Sequence, residues 1–261
     1  MALFTVSDIH GHFTPLEEIL IKNNFFEDKK DRLIVLGDAL DRGQEAQKVV
    51  DFLLQLHREG RLVYIKGNHE DLFMQCLQAI SRGEAFEIAS GMSHHYRNRT
   101  FDTLLQLSEM TAQEAVSFPN ELVRRVMRSS YYQELLPACV NYFETDTHVF
   151  CHGWIPTRTQ VFKPFLDYTY NPDWRNANQE EWYKSRWFNG MELACKYGIF
   201  EPNKTIVCGH WHTSWGHSRV NHSCSEWGSD AIFTPFYSDG IIAIDACTAY
   251  TNTVNCVVFE E

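Results

Sequence analysis

Five short motifs in this chain pair carboxylate, imidazole and amide side chains at spacings suited to binding divalent cations. The first is Ser7-Asp8-Ile9-His10-Gly11. In an extended segment alternate side chains share a face, so Asp8 and His10 point one way and Ile9 points to the core. A carboxylate and an imidazole so placed can clamp one ion. The second is Gly37-Asp38-Ala39-Leu40-Asp41-Arg42-Gly43. The two oxygens of Asp38 can bridge cations roughly 3.5–4 Å apart. The guanidinium of Arg42 matches phosphate oxygens in two places at once. Gly67-Asn68-His69-Glu70 offers an amide oxygen as a hard ligand, an imidazole for acid chemistry and a carboxylate to order the loop. Cys151-His152-Gly153-Trp154 and Gly209-His210-Trp211-His212 add three more imidazoles. Each motif alone is also ordinary turn and capping chemistry. Zinc-finger spacing, which is wider and uses cysteines, fits poorly.

The elements that must position these residues follow from periodicity. Apolar runs predict strands over 3–6, 33–36 and 62–65. Helical spacing predicts helices over 14–24 and 45–57, with a third beginning over 71–80. Strand–helix alternation of this kind predicts an α/β fold with a largely parallel sheet and helices against it. Strands resume over 148–151, 205–208, 241–244 and 253–259. Asp8, Asp38, Asn68, His152 and His210 each lie just beyond an apolar run, where an open α/β sheet forms its ligand crevice. Residues separated in sequence therefore converge in space.

Between about 76 and 144 the pattern turns to helices and loops rich in aromatic and basic residues. With no repeat and no long Pro/Gly/Ser linker, the expectation is one domain over 1–261 carrying a mainly helical cap insertion at 76–144. The stretch Ser93 to Thr100 reads as a solvated charged loop of that cap, and Trp174, Trp182, Trp187 and Phe188 read as core packing.

A chain of 261 residues can bury a large core unaided. Its net charge of -11 argues against a general nucleic-acid or anionic-membrane surface, and so against a nuclease. An anionic substrate stays open, because a bound cation reverses the field locally. The N-terminus has neither a basic start nor a long apolar run, so no signal or membrane span is expected. The eight cysteines form no CxxC pair and read as reduced thiols, with the cytoplasm as the default compartment.

Jointly the order D-x-H, G-D-x-x-D-R-G, G-N-H-E, H-G and G-H-x-H resembles the calcineurin-like metallophosphoesterases. GDALDRG with GNHE is similar to their phosphoprotein-phosphatase branch, which includes Ser/Thr phosphatases and diadenosine-tetraphosphatase-like enzymes. The resemblance implies a βαβ core with sheets flanked by helices. It implies a first metal on Asp8, His10, Asp38 and His212, and a second on Asp38, Asn68, His152 and His210. His69 would be the leaving-group acid, paired with Asp41, and Arg42 would bind phosphate. For a second phosphate-binding arginine the best candidate is Arg186, with Arg158 next.

The implied reaction is hydrolysis of a phosphomonoester, on the Ser/Thr protein phosphatase pattern, by a hydroxide bridging two divalent ions. Nitrogen and oxygen ligands suit manganese, iron or zinc, with manganese favoured. The partner would be a phosphorylated substrate, phosphoprotein or nucleotide; the alternative activity is dinucleoside polyphosphate hydrolysis. A non-catalytic scaffold of the same fold would show eroded ligands or lack His69, and this chain retains them all. Oligomeric state is not legible.

Overall fold

A computed structural model describes residues 1–91, 93–162 and 165–260. Two sheets lie face to face. The first runs β11 (Cys256–Glu260), β1 (Ala2–Val6), β2 (Arg32–Val35), β3 (Leu62–Tyr64). Its three N-terminal strands are parallel, and β11 closes the edge antiparallel to β1. The second runs β4 (Tyr142–Glu144), β5 (His148–Cys151), β8 (Thr205–Cys208), β10 (Ile241–Ala243), β9 (Phe236–Ser238). Its middle three strands are parallel and its two edges antiparallel. The single sheet expected from strand–helix alternation is thus two, as the family resemblance implied. Hydrophobic periodicity does not tell which strands share a sheet. A hairpin, β6 (Arg158–Phe162) with β7 (Phe165–Thr169), was not anticipated.

Side-chain alternation sorts the apolar residues into three layers. Leu3, Ile34, Val63, Phe150 and Val207 point between the sheets. Their neighbours Phe4, Val6, Leu33, Val35 and Tyr64 point outward onto helices. On the second sheet Val149, Cys151, Ile206 and Cys208 do the same on the far side. Strands buried on both faces read as continuous apolar runs, which is why they were visible without alternation in polarity.

Against the first sheet pack α1 (Phe13–Lys22) and α2 (Ala46–Arg58). Beyond β3, α3 begins at Asn68 rather than near 71 and ends at Ser81. Then come α4 (Ala85–Ala89), α5 (His94–Arg97), α6 (Thr100–Ser108), α7 (Ala112–Ser117) and α8 (Pro119–Arg128). Phe101, Leu104, Leu122 and Val126 of this helical segment join the apolar layer of α1 and α2. The second sheet is covered by α9 (Gln179–Ser185), α10 (Gly190–Cys195) and α11 (Thr213–Arg219), among which Trp182, Met191 and Trp215 are buried. Trp174 and Trp182 are core, as expected, whereas Trp187 is 37% exposed. All eight cysteines are free. Among the described residues no helix is long and apolar enough to cross a membrane.

Candidate metal centre

The loops leaving β1, β2, β3, β5 and β8 meet at one rim. His10 and Gly11 donate their main-chain N–H groups to Asp38 and Ala39, binding the first two loops together. Gly209 donates to the carbonyl of His152, and His210 to the carboxylate of Asp8, joining the second sheet to the first. A methyl group on Gly209 would sit 1.7 Å from Ser7 Oγ and 2.4 Å from Asp8 Oδ2, so only glycine fits that crossing.

The backbone here is not extended. Asp8, His10, Asp38, Asp41, Arg42 and His210 all have φ between 50° and 71°. The shared direction of Asp8 and His10 comes from two left-handed residues, not from strand alternation as the sequence suggested. Such conformations are costly for residues with a Cβ and collect at functional sites.

Each of three imidazoles uses one ring nitrogen on a main-chain carbonyl. His10 Nδ1 donates to Leu40 at 3.1 Å, His152 Nδ1 to Leu36 at 2.5 Å, and the His210 ring to Trp187. This orienting bond is characteristic of metal-ligating histidine. The remaining lone pairs point inward. His10 Nε2 lies 3.9 Å from Asp8 Oδ1 and 4.0 Å from Asp38 Oδ2, and His152 Nε2 lies 3.4 Å from Asp38 Oδ1. Donors about 2.1 Å from a common ion would be separated by roughly this much. His152 Nε2 also faces Asn68 Oδ1 at 2.9 Å. With the proton on Nδ1 neither atom can donate to the other, so two lone pairs converge on one point. Among the described residues, two sets of histidine and carboxylate donor atoms fall within 4.8 Å of one another: His10, Asp38 and His69, and Asp38, His152 and His210. Asp38 belongs to both.

Electrostatics agree with this donor set. Burial pushes Asp8 up to about 6 and Asp38 up to about 7. Burial also holds His10 and His210 well below the usual histidine range, leaving them neutral, as ligands must be. Cations placed among these carboxylates and neutral imidazoles would supply the charge the pocket lacks.

Glu70 fixes the geometry from behind. Its carboxylate accepts from the N–H groups of Asp38 (3.0 Å), Ala39 (3.2 Å) and Gly67 (2.7 Å) and from the Tyr64 hydroxyl (2.7 Å). His69 stands apart from the other imidazoles: its Nδ1 meets Asp41 Oδ2 at 2.6 Å rather than a carbonyl. Burial lowers its affinity for a proton, but Asp38 and the Asp41 hydrogen bond outweigh that and raise it overall. Arg42 places Nη2 3.2 Å from His69 Nε2, so guanidinium and imidazole address the same space.

Two expected residues are engaged elsewhere. His212, like Asp8, is in neither donor group; its Nδ1 meets Ser214 Oγ at 2.8 Å and its Nε2 lies 3.7 Å from Glu226. Arg186 is 3% exposed, with its guanidinium held by Asp71 (2.8 Å) and Asn141 (2.7 Å). Arg158 is exposed on β6. One residue was missed. Asp245, just past β10, is buried, caps the Cys247 N–H, and is pushed well above the carboxylate range by burial and by Asp8. The rule that picked Asp8 and Asp38, a carboxylate directly after an apolar strand, would have found it.

The calcineurin-like phosphoesterase family matches residues 1–232. The chain belongs to that family. Within it, the chain is 32% identical over 109 residues to the symmetrical bis(5'-nucleosyl)-tetraphosphatase of Buchnera aphidicola, covering 42% of this chain and 34% of that one. It is 32% identical over 114 residues to serine/threonine-protein phosphatase 2 of Escherichia coli, covering 44% and 45%. The matches thus span less than half the length of either relative. Among solved structures, a cold-active protein tyrosine phosphatase aligns with 99% of this chain and 73% of its own at a TM-score of 0.51 and 15% identity. A protein serine/threonine phosphatase from Saccharomyces cerevisiae aligns with 100% and 80% at 0.50 and 11%. At these identities the phosphoesterase fold is shared.

Proposed function

We propose that the chain hydrolyses phosphoesters with the help of two divalent cations, manganese favoured over iron and zinc. Asp8, His10 and Asp38 would hold one, and Asp38, Asn68, His152 and His210 the other. The supporting observation is the convergence of oriented imidazole lone pairs on the shared carboxylate of Asp38. His212 is left out of this set because its Nδ1 is bonded to Ser214 Oγ and its Nε2 lies 3.7 Å from Glu226.

Bound there, the cations would supply Lewis-acid activation of water and of the phosphoryl oxygens. The chain's own groups do the rest. Arg42, half-buried beside His69, offers a fork to the equatorial phosphate oxygens as charge develops on them. His69, whose affinity for a proton is raised by Asp38 and Asp41, gives a proton to the departing oxygen. Arg186 fastens α9 to α3 through Asp71 and is assigned no phosphate contact.

The substrate proposed first is a phosphomonoester of the phosphoserine or phosphothreonine type. Dinucleoside polyphosphate is the second reading. Several curated relatives carry that activity in their names, and Trp211, Trp227 and Tyr250 leave exposed aromatic faces beside His212. Metal analysis of the purified chain comes first, followed by turnover of a phosphoserine peptide and of diadenosine tetraphosphate with manganese restored. Turnover of either, lost on chelation, supports the reading and selects the substrate. Full turnover with stoichiometric metal absent overturns it.

A further inference from the structure

Among the described residues no sheet residue bonds the Asp41 side chain; a helix of the inserted segment does. Asp41 Oδ2, which faces His69 Nδ1, also accepts from Thr100 Oγ1 at 2.7 Å. Its Oδ1 accepts from Thr103 Oγ1 at 2.6 Å, and its main-chain N–H donates back to the same hydroxyl at 3.1 Å. Both threonines are wholly buried on α6, and Asp41 is 1% exposed. One turn further on, Gln106 donates to the carbonyl of Gly43 and accepts from Ala46 N–H, both at 3.0 Å. At the start of the helix, Arg99 donates to the carbonyl of Arg42. Positions 100, 103 and 106 are three apart and share one helix face. That face holds Asp41, Gly43 and Ala46 of the loop.

Thr103 does more than fill space. A carboxylate two bonds from a left-handed backbone, φ 71° at Asp41, can rotate about its χ angles unless both oxygens are tied. Thr103 pairs with the main chain and with Oδ1 of Asp41 together, fixing the residue's conformation and leaving Oδ2 for His69, while Thr100 holds that same Oδ2 in place. A His–Asp pair donates a proton well only when the ring is aimed at the leaving oxygen, so this restraint acts on the chemistry through His69.

We propose that Thr100 and Thr103 are positioning residues for proton donation to the leaving group, so that α6 of the inserted segment, and not the metal-bearing sheets, sets the aim of His69. The proposal rests on the reading of His69 as the acid. Its signature is selectivity by leaving group. A misaimed acid slows esters with poor, alkyl-type leaving groups and spares those that depart without a proton.

The test uses the full-length, manganese-loaded chain with Thr103→Val, Thr100→Val, Thr103→Ser and His69→Asn. The two substrates are an alkyl ester, phosphoserine peptide, and an aryl ester with a good leaving group, p-nitrophenyl phosphate. Thr103→Val is expected to lower kcat on the alkyl ester roughly 10- to 100-fold, with KM little changed. The aryl ester should lose no more than about threefold, and Thr103→Ser should recover most of the loss. Independently of turnover, histidine-labelled protein loaded with diamagnetic zinc in place of manganese should show a downfield Nδ1 proton of His69 that is absent in His69→Asn and displaced in Thr103→Val. Equal losses on both esters, or an unmoved proton resonance, overturn the positioning role. If His69→Asn itself treats both esters alike, the acid reading fails and the proposal falls with it; if His69→Asn discriminates and neither threonine variant does, the proposal alone fails. Should Thr103→Val not fold, Thr100→Val carries the same comparison.

Discussion

His210 donates its main-chain N–H to Oδ2 of Asp8 at 2.9 Å, across 202 residues of sequence. The same oxygen takes the Ser7 hydroxyl, so one carboxylate oxygen is tied to the first sheet and to the second while the other faces His10. The centre is therefore assembled only when the two sheets are docked.

Metal affinity should fall with acidity. Burial lifts Asp8 to about 6 and Asp38 to about 7 in the metal-free chain, so both carry protons at pH 5.5 and shed them by about pH 7.5. Manganese titrations at those two pH values should give clearly weaker binding at the lower one. Stability without metal runs the other way. Raised carboxylate values mean that the folded state binds more protons than the unfolded one from about pH 4 to 7, so stability from these groups is lost as pH rises through that window. A melting point in chelator that climbed with pH from 5 to 7, other groups being matched by Asp8→Asn and Asp38→Asn, would contradict this.

Gly209→Ala should damage the site out of proportion to its size. The added carbon would overlap Ser7 and Asp8, whereas at Gly60, with φ 69°, nothing lies within 4 Å. Gly60→Ala should cost about 1–2 kcal/mol of backbone strain and leave activity alone. Gly209→Ala should lose bound metal, read by elemental analysis, even where the chain still folds.

Glu70→Gln replaces an acceptor of four hydrogen bonds with a group that has one acceptor oxygen and presents N–H to N–H. A loss of about 1–3 kcal/mol is expected, together with weaker metal retention, because the loops bearing Asp38 and Asn68 are no longer tied. Tyr64→Phe removes a single donor and should cost about 0.5–1.5 kcal/mol with metal content unchanged. Chemical denaturation beside metal analysis separates the two outcomes.

His10→Ala should drop one of two bound cations, whereas His212→Ala should retain both. The first ring aims Nε2 between Asp8 and Asp38, whereas the second has its Nδ1 on Ser214 and its Nε2 3.7 Å from Glu226. Metal-to-protein ratios at saturating manganese decide it.

Much of this site was legible because the strands are apolar on both faces and stop abruptly at polar residues. Asp8, Asp38, Asn68, His152 and His210 stand where a buried run ends, and that contrast survives in a single sequence. What escaped has a common cause. Left-handed turns at Asp8 and His10 leave no mark in residue type, since neither is glycine. The division of strands between sheets depends on pairings that periodicity does not encode. The grip of α6 on Asp41 was written as Thr100, Thr103 and Gln106 at three-residue intervals amid Phe101, Leu104 and Leu107. Polar residues on a helix read as solvent-facing until a partner for them is known.

Layer alternation along the strands has a mechanical consequence. Leu33 and Ile34 are neighbours in sequence but lean on different layers, so the loop that carries Asp38 is braced from two sides at once, like a beam set in two walls. Close-packed interiors pass displacement on instead of absorbing it. Slack introduced on either side, far from any donor atom, will tilt the same carboxylate.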